Sequence, residues 1–133
     1  MKKLEAQFQV QFNHFLRSVF LPEHAGGFAF ELKHTRGKGS LPFADVQEHQ
    51  LNALQAAESV QGFTYKISDE SRTYKPFDCF ALRLCRSYVV IRYPSFFVMI
   101  RVEDFIQKKR TSNRNSLTEQ VAKEIATRVV EMK

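Results

Sequence analysis

The chain has 133 residues, 44% of them apolar, and 20 Lys and Arg against 14 Asp and Glu give a net charge of +6. That length suits one domain, 1–133, able to bury roughly two-thirds of its unfolded surface without disulfide staples. No apolar run approaches the ~18 residues a spanning helix requires, which excludes a helical membrane protein, while the positive excess favours an anionic partner such as nucleic acid.

Thirteen Phe and no Trp predict a Phe-rich core. The N-terminal Met1–Glu5 stretch turns amphipathic at once and lacks the apolar core of a secretory leader. Cys79 and Cys85 form no CxxC pair, and the four His show no zinc-ligand spacing. Free thiols in a reducing cytosol are the expectation.

In chain order, Lys3 to Phe20 predicts a helix, with Leu4, Phe8, Phe12, Phe15 and Val19 in one apolar stripe. Pro22 and the Gly26-Gly27 pair end it. Gly27 to Lys33 alternates: Phe28, Phe30 and Leu32 share one face of a strand, and Ala29, Glu31 and Lys33 share the other. Arg36 to Ser40 reads as a basic, flexible loop. Pro42 suits the first turn of a helix running to about Ala57, with Phe43, Val46, Leu51 and Leu54 inward. Gln50, four residues from both Val46 and Leu54, places a polar amide within that stripe.

Strands are then predicted at Phe63–Ile67, Phe77–Leu84, Tyr88–Tyr93 and Phe96–Val102, the last two joined by a Pro94-Ser95 turn. Asp69 to Tyr74 is a polar loop. A short helical piece from Glu103 to Lys109 precedes a basic linker, and Ser116-Leu117-Thr118-Glu119 matches a capping box opening a last helix with Leu117, Val121, Ile125 and Val129 on one face. The order implies an α/β (α+β) domain with one mixed sheet flanked by helices.

Glu31-Leu32-Lys33 carries the chemistry. It puts a carboxylate and an ammonium on the same face of a strand, and phosphodiester hydrolysis uses both. Carboxylates hold Mg²⁺, a hard cation that prefers oxygen. The metal polarises a phosphate and acidifies bound water. A neighbouring lysine orients that water or offsets charge developing on the phosphate. By itself the triplet is more readily an ordinary surface pair on a sheet face. A buried Gln50 must satisfy its hydrogen bonds, and the lysine or a substrate phosphate is a candidate partner.

The segment Phe30-Glu31-Leu32-Lys33-His34-Thr35, continuing through Ser40-Leu41-Pro42-Phe43 into His49-Gln50, resembles RecU-type Holliday junction resolvases and similar phage proteins, within the PD-(D/E)XK nuclease superfamily. The resemblance covers residues 28–55. It implies a restriction-endonuclease-like mixed central sheet and a Mg²⁺-dependent (or Mn²⁺-dependent) endonuclease. Glu31, Lys33 and Gln50 would be its catalytic residues, and a homodimer would make two symmetric nicks in a four-way junction or other branched DNA. Leu4-Glu5 looks like the family's leading helix, which carries a glutamate. Cytoplasmic action in a bacterial host, as a phage or prophage recombination factor, follows from the same resemblance.

The sequence departs from the family in one place. The metal-binding Asp expected on the strand before E-x-K is missing, since no Asp precedes Asp45. Asp78, in Lys75-Pro76-Phe77-Asp78, would replace it if its strand lies beside that of Glu31, with Asp69 in reserve. Arg36, Lys38 and Lys75 flank the site as candidate phosphate contacts, as do Lys108-Lys109-Arg110 and Arg114. Tyr65 and Tyr74 are the aromatic exceptions to a core assignment. Two other readings stay open: a repair or restriction-type nuclease of the same fold, and a non-catalytic basic DNA-binding protein, which the missing Asp favours.

Overall fold

The computed structural model describes residues 2–37, 39–69 and 75–132, with side chains from Leu4 onward. Lys38, Tyr74 and most of the 69–74 loop lie outside the described residues.

Helix α1 (Lys2–Phe15) runs through a π-helical turn (Leu16–Phe20) into a last short turn, α2 (Leu21–Glu23), where Pro22 needs no N–H partner. A π turn holds one residue more than an α turn. It therefore brings Phe20 fully into the core beside Phe8, Phe12 and Phe15, while the expected Val19 packs against the same cluster, partly buried. Gly26, at φ +104°, supplies the left-handed turn out of this helix.

Strand β1 (Phe28–His34) follows, then β2 (Ser40–Pro42), a 3₁₀ turn (Phe43–Asp45) and α3 (Glu48–Glu58). Next come β3 (Phe63–Lys66), β4 (Cys79–Leu82), β5 (Arg86–Arg92), β6 (Phe96–Arg101), α4 (Val102–Thr111), β7 (Ser116–Thr118), α5 (Glu119–Ile125) and β8 (Arg128–Glu131). The fold is α+β. Its main sheet has the order β1-β5-β6-β8, with β1 parallel to β5 and the other pairs antiparallel. Two ribbons, β2 with β7 and β3 with β4, stand apart from it.

Alternation on β5 and β6 builds a core on each side of the sheet. Tyr88, Val90, Phe97 and Met99 pack with the α1 phenylalanines. Val89, Ile91, Val98 and Ile100 pack with Leu51 and Leu54 of α3 and Phe105 of α4. Phe97 anchors the first cluster, its ring centroid 5.5 Å from Phe8, 5.7 Å from Phe12 and 5.1 Å from Phe15. Tilted and edge-on contacts of this kind add about 0.5–1.5 kcal/mol each beyond area burial.

Two expectations fail for long-range reasons. The helix predicted from Pro42 starts only at Glu48, because residues 40–42 pair with β7 and Pro42 ends that ribbon. The last helix stops at Ile125. The Thr127 N–H and hydroxyl both donate to Met99 O (2.9 and 3.0 Å), and the β-branched Val129-Val130 pair continues as a strand against β6. Ser116 sits in β7, and Thr118 caps α5 by accepting the Val121 N–H.

Phe97→Ala should destabilise the fold by about 3–5 kcal/mol in urea unfolding, as a large core truncation does; a loss under about 1 kcal/mol would contradict this packing. Tyr93 offers a second check. Its buried hydroxyl donates to Leu117 O at 2.9 Å, and burial, reinforced by the Glu119 carboxylate, holds it above the ordinary tyrosine value. The unfolded chain releases this proton first, so stability present at neutral pH declines as pH climbs past about 10. Tyr93→Phe should flatten that alkaline decline and cost about 1 kcal/mol at neutral pH; an unchanged slope in pH-dependent melts would count against it.

Candidate active site at the open edge of the sheet

β1 is an edge strand hydrogen-bonded only to β5, and its register places Glu31 opposite Val89 and Lys33 opposite Ile91. Phe28, Phe30 and Leu32 pack toward α1. Ala29 packs on the opposite face, so Glu31 and Lys33 rise on the side covered by α3. Their side chains are 26% and 15% exposed, and Lys33 Nζ lies 3.4 Å from Glu31 Oε2.

Gln50 joins them from the first turn of α3. Its Oε1 accepts the Gln47 N–H at 2.9 Å, and its Nε2 donates to Glu31 Oε2 at 2.8 Å. The backbone N–H can only donate, so it fixes which way the amide faces. The other end must then present N–H groups to the strand. One side chain thus caps the helix and orients the carboxylate. Glu31 Oε1 accepts no hydrogen bond among the described residues. Past Lys33 the strand is tied off by Thr35, whose N–H and hydroxyl both donate to Arg92 O.

A groove of about 680 Å³ opens between β1, α3 and the β3–β4 hairpin. Glu31, His49 and Gln50 line one part of it, and Phe63, Tyr65 and Phe80 line the hairpin wall. The sequence pattern did not single out His49 or Phe80. The His49-Gln50 pair was visible, but only the approach of the hairpin to α3 makes His49 and Phe80 groove residues.

Of the predicted site residues, the fold gathers Glu31, Lys33 and Gln50. It does not make the Asp78 strand a sheet neighbour of β1: β4 pairs with β3, in a separate ribbon. Asp78 is exposed, lies outside the groove lining, and sits 3.2 Å from Lys75 Nζ. Asp69 binds the same ammonium. Lys75 is thus enclosed by two carboxylates rather than free for a phosphate. Arg36 is exposed in the loop after β1, and Lys38 is outside the described residues. Glu5 is exposed on α1, the helix that covers the opposite face of the sheet. Lys109 pairs with Glu48.

No group of three or more His, Cys, Asp or Glu that could hold a metal is gathered among the described residues. Glu31 alone still offers a free carboxylate oxygen, and Mg²⁺ commonly binds through one or two carboxylates plus waters and substrate phosphates. The donor set therefore fits a cation shared with substrate, not a preformed all-protein cage. Compared with known proteins, the chain matches no protein-family model and has no significant similarity to a curated protein.

Gln50→Leu removes both the cap and the partner of Glu31. It should lower stability by about 1–2 kcal/mol in urea unfolding. Equal stability would mean that the amide makes neither bond in solution.

Proposed function

We propose that the protein is a metal-dependent DNA endonuclease of the PD-(D/E)XK type, acting on branched DNA such as a four-way junction as a homodimer. One observation carries this reading: Gln50 from α3 holds the Glu31 carboxylate beside the Lys33 ammonium at the rim of an open groove. These are the residues through which the sequence resembles RecU-type resolvases. A two-fold substrate calls for two such sites, and the +6 charge suits a polyanion. By the same resemblance the activity would lie in the cytoplasm of a bacterial host. No described helix is long and apolar enough to cross a membrane.

Glu31 would hold Mg²⁺, with waters and substrate phosphate oxygens completing its shell. When bound, the ion supplies Lewis-acid polarisation of the phosphate and a more acidic water. Gln50 keeps the carboxylate in place through the hydrogen bond to Oε2. Lys33, three-quarters or more enclosed by its neighbours, presents N–H donors to a phosphate oxygen on which negative charge grows. Removing such a donor typically costs 10²–10³ in rate.

A second reading, a non-catalytic basic DNA-binding protein, is favoured by the pairing of Asp69 and Asp78 with Lys75 instead of with Glu31. Cleavage of a four-way junction, a matching duplex and a single strand separates the readings. Paired nicks in the junction with Mg²⁺, abolished by chelator and lowered at least 10²-fold by Lys33→Ala, are expected. Equal cutting of all three substrates would indicate a repair or restriction-type nuclease. Asp78→Asn should keep full activity, since Asp78 lies outside the groove and pairs with Lys75; loss of cutting would return Asp78 to the site. Tight binding without cutting would establish the non-catalytic reading.

A further inference from the structure

The main sheet ends in two strands, and only β1 carries the Glu31–Lys33 pair. β8, at the opposite end, is hydrogen-bonded to β6 alone. The Met132 N–H donates to Ser95 O at 2.9 Å, so alternation turns the backbone groups of Arg128, Val130 and Met132 toward β6. Those of Val129 and Glu131 point outward, and no hydrogen bond reaches them among the described residues. Both residues are exposed, and the strand has no Pro or Lys to protect its edge.

Beside this edge, on the α1 side of the sheet, lies an apolar groove of about 650 Å³. Val10 and Phe15 of α1 and Val19 of the π turn form one wall, and Phe97, Val130 and Met132 form the other. None of its lining residues is Asp, Glu, Lys or Arg. Val10 is 70% exposed. The chain carries +6, so two copies repel unless they meet where uncompensated cations are scarce. That condition holds here. Arg128 is already paired with Glu23 at 3.0 Å, and Glu131 adds a negative charge at the edge. A polyanion finds no cation in this groove, so the surface suits an apolar partner that brings a strand edge of its own.

We propose that this edge and groove bind a second copy of the chain, with β8 antiparallel to the partner's β8 about a two-fold axis normal to the sheet. Such an axis sets residues of the same face opposite one another. With Val130 at the axis, the outward N–H and C=O of Val129 meet those of the partner's Glu131, and the reverse. A strand this short makes few bonds, so the groove supplies most of the apolar surface that the second copy covers. The contact rests on the edge and the groove; its use rests on the nuclease reading. The two sheets merge into one, and the two β1 strands stand at its ends, seven strand spacings or about 34 Å apart. Both Glu31–Lys33 pairs lie on the same side of the merged sheet, because the axis is normal to it. One branched DNA across that side meets two sites that share its two-fold symmetry.

The test uses the full chain without DNA. Sedimentation equilibrium over a concentration series should give a dimer. Val129→Pro removes an outward N–H at an edge position, where a monomer makes no use of it. It should weaken the dimer at least about ten-fold, through the loss of a symmetric pair of hydrogen bonds, and keep the wild-type far-ultraviolet circular dichroism. Val10→Asp, at an exposed groove position, should weaken the dimer as well. Val130→Cys, in a Cys79→Ser background, gives a positive check. The two copies of residue 130 face each other across the axis as a non-hydrogen-bonded pair, with Cα atoms about 4.5 Å apart, so mild oxidation should link them.

A wild-type monomer at every concentration, a dimer that either substitution leaves at full strength, or no link through residue 130 would each overturn the proposal. A parallel Mg²⁺ reaction on DNA keeps the two claims separate. A dimer through β8 that cuts nothing removes the nuclease reading and leaves this inference standing. Cutting by a protein that fails the β8 tests does the reverse. Where both hold, Val129→Pro should turn paired nicks in a four-way junction into single nicks, since each monomer keeps its own Glu31 and Lys33.

Discussion

The β5–β6 hairpin is apolar on both faces, and the rest of the molecule is arranged around that constraint. A strand pair with Val, Ile, Phe and Met on either side cannot leave one face to water, so helices must cover both. The phenylalanines of α1 cover one face, and α3, α4 and α5 cover the other. The sheet has to be filled out at its edges by strands from distant parts of the chain. β1 joins β5 in parallel after a crossover that includes α3, and β8 closes against β6. The crossover brings the first turn of α3 over the Glu31 face of β1, so the geometry of the site follows from the packing of the core.

Gln50 converts that packing into chemistry. A free carboxylate on an edge strand would sample several rotamers and pair with any nearby cation. Here one oxygen is shared between an amide that is itself committed to capping a helix and an ammonium two residues along the strand. The arrangement leaves the second oxygen open on the groove side of a half-buried pair. The β3–β4 hairpin then gives the groove a second wall of very different character, aromatic and partly exposed.

The local signals were legible in the sequence. The two-residue alternation of Phe28 to Lys33 identified both faces of β1, and the spacing of Val46, Gln50 and Leu54 placed the amide on the buried side of α3. What misled was local periodicity where a distant partner decides. Leu117 and Val129 fit a helical stripe, but Leu117 belongs to a ribbon with β2, and Val129 follows a Thr127 tied to β6. The β-branched Thr127, Val129 and Val130 were the available warning. Pro42 fitted a helix start equally well as the end of a ribbon. The burial of Phe20 alongside Val19 was missed because a π turn leaves no mark in a 3.6-residue pattern. The placement of Asp78 depended on which strand β4 would pair with, and pairing between short strands is set by tertiary packing, not by the strands themselves.

On the proposed nuclease reading, a divalent cation would meet the protein at Glu31 and not at the Asp69–Asp78 pair around Lys75. Iron-mediated backbone cleavage addresses this directly. Fe²⁺ replaces Mg²⁺ in the protein–DNA complex, peroxide is added, and the fragments are sized by mass spectrometry. The account predicts cuts within residues 28–34 and in the facing turn of α3, abolished by Glu31→Gln. Cuts confined to the chain around Asp69 and Asp78, and unaffected by that substitution, would contradict it.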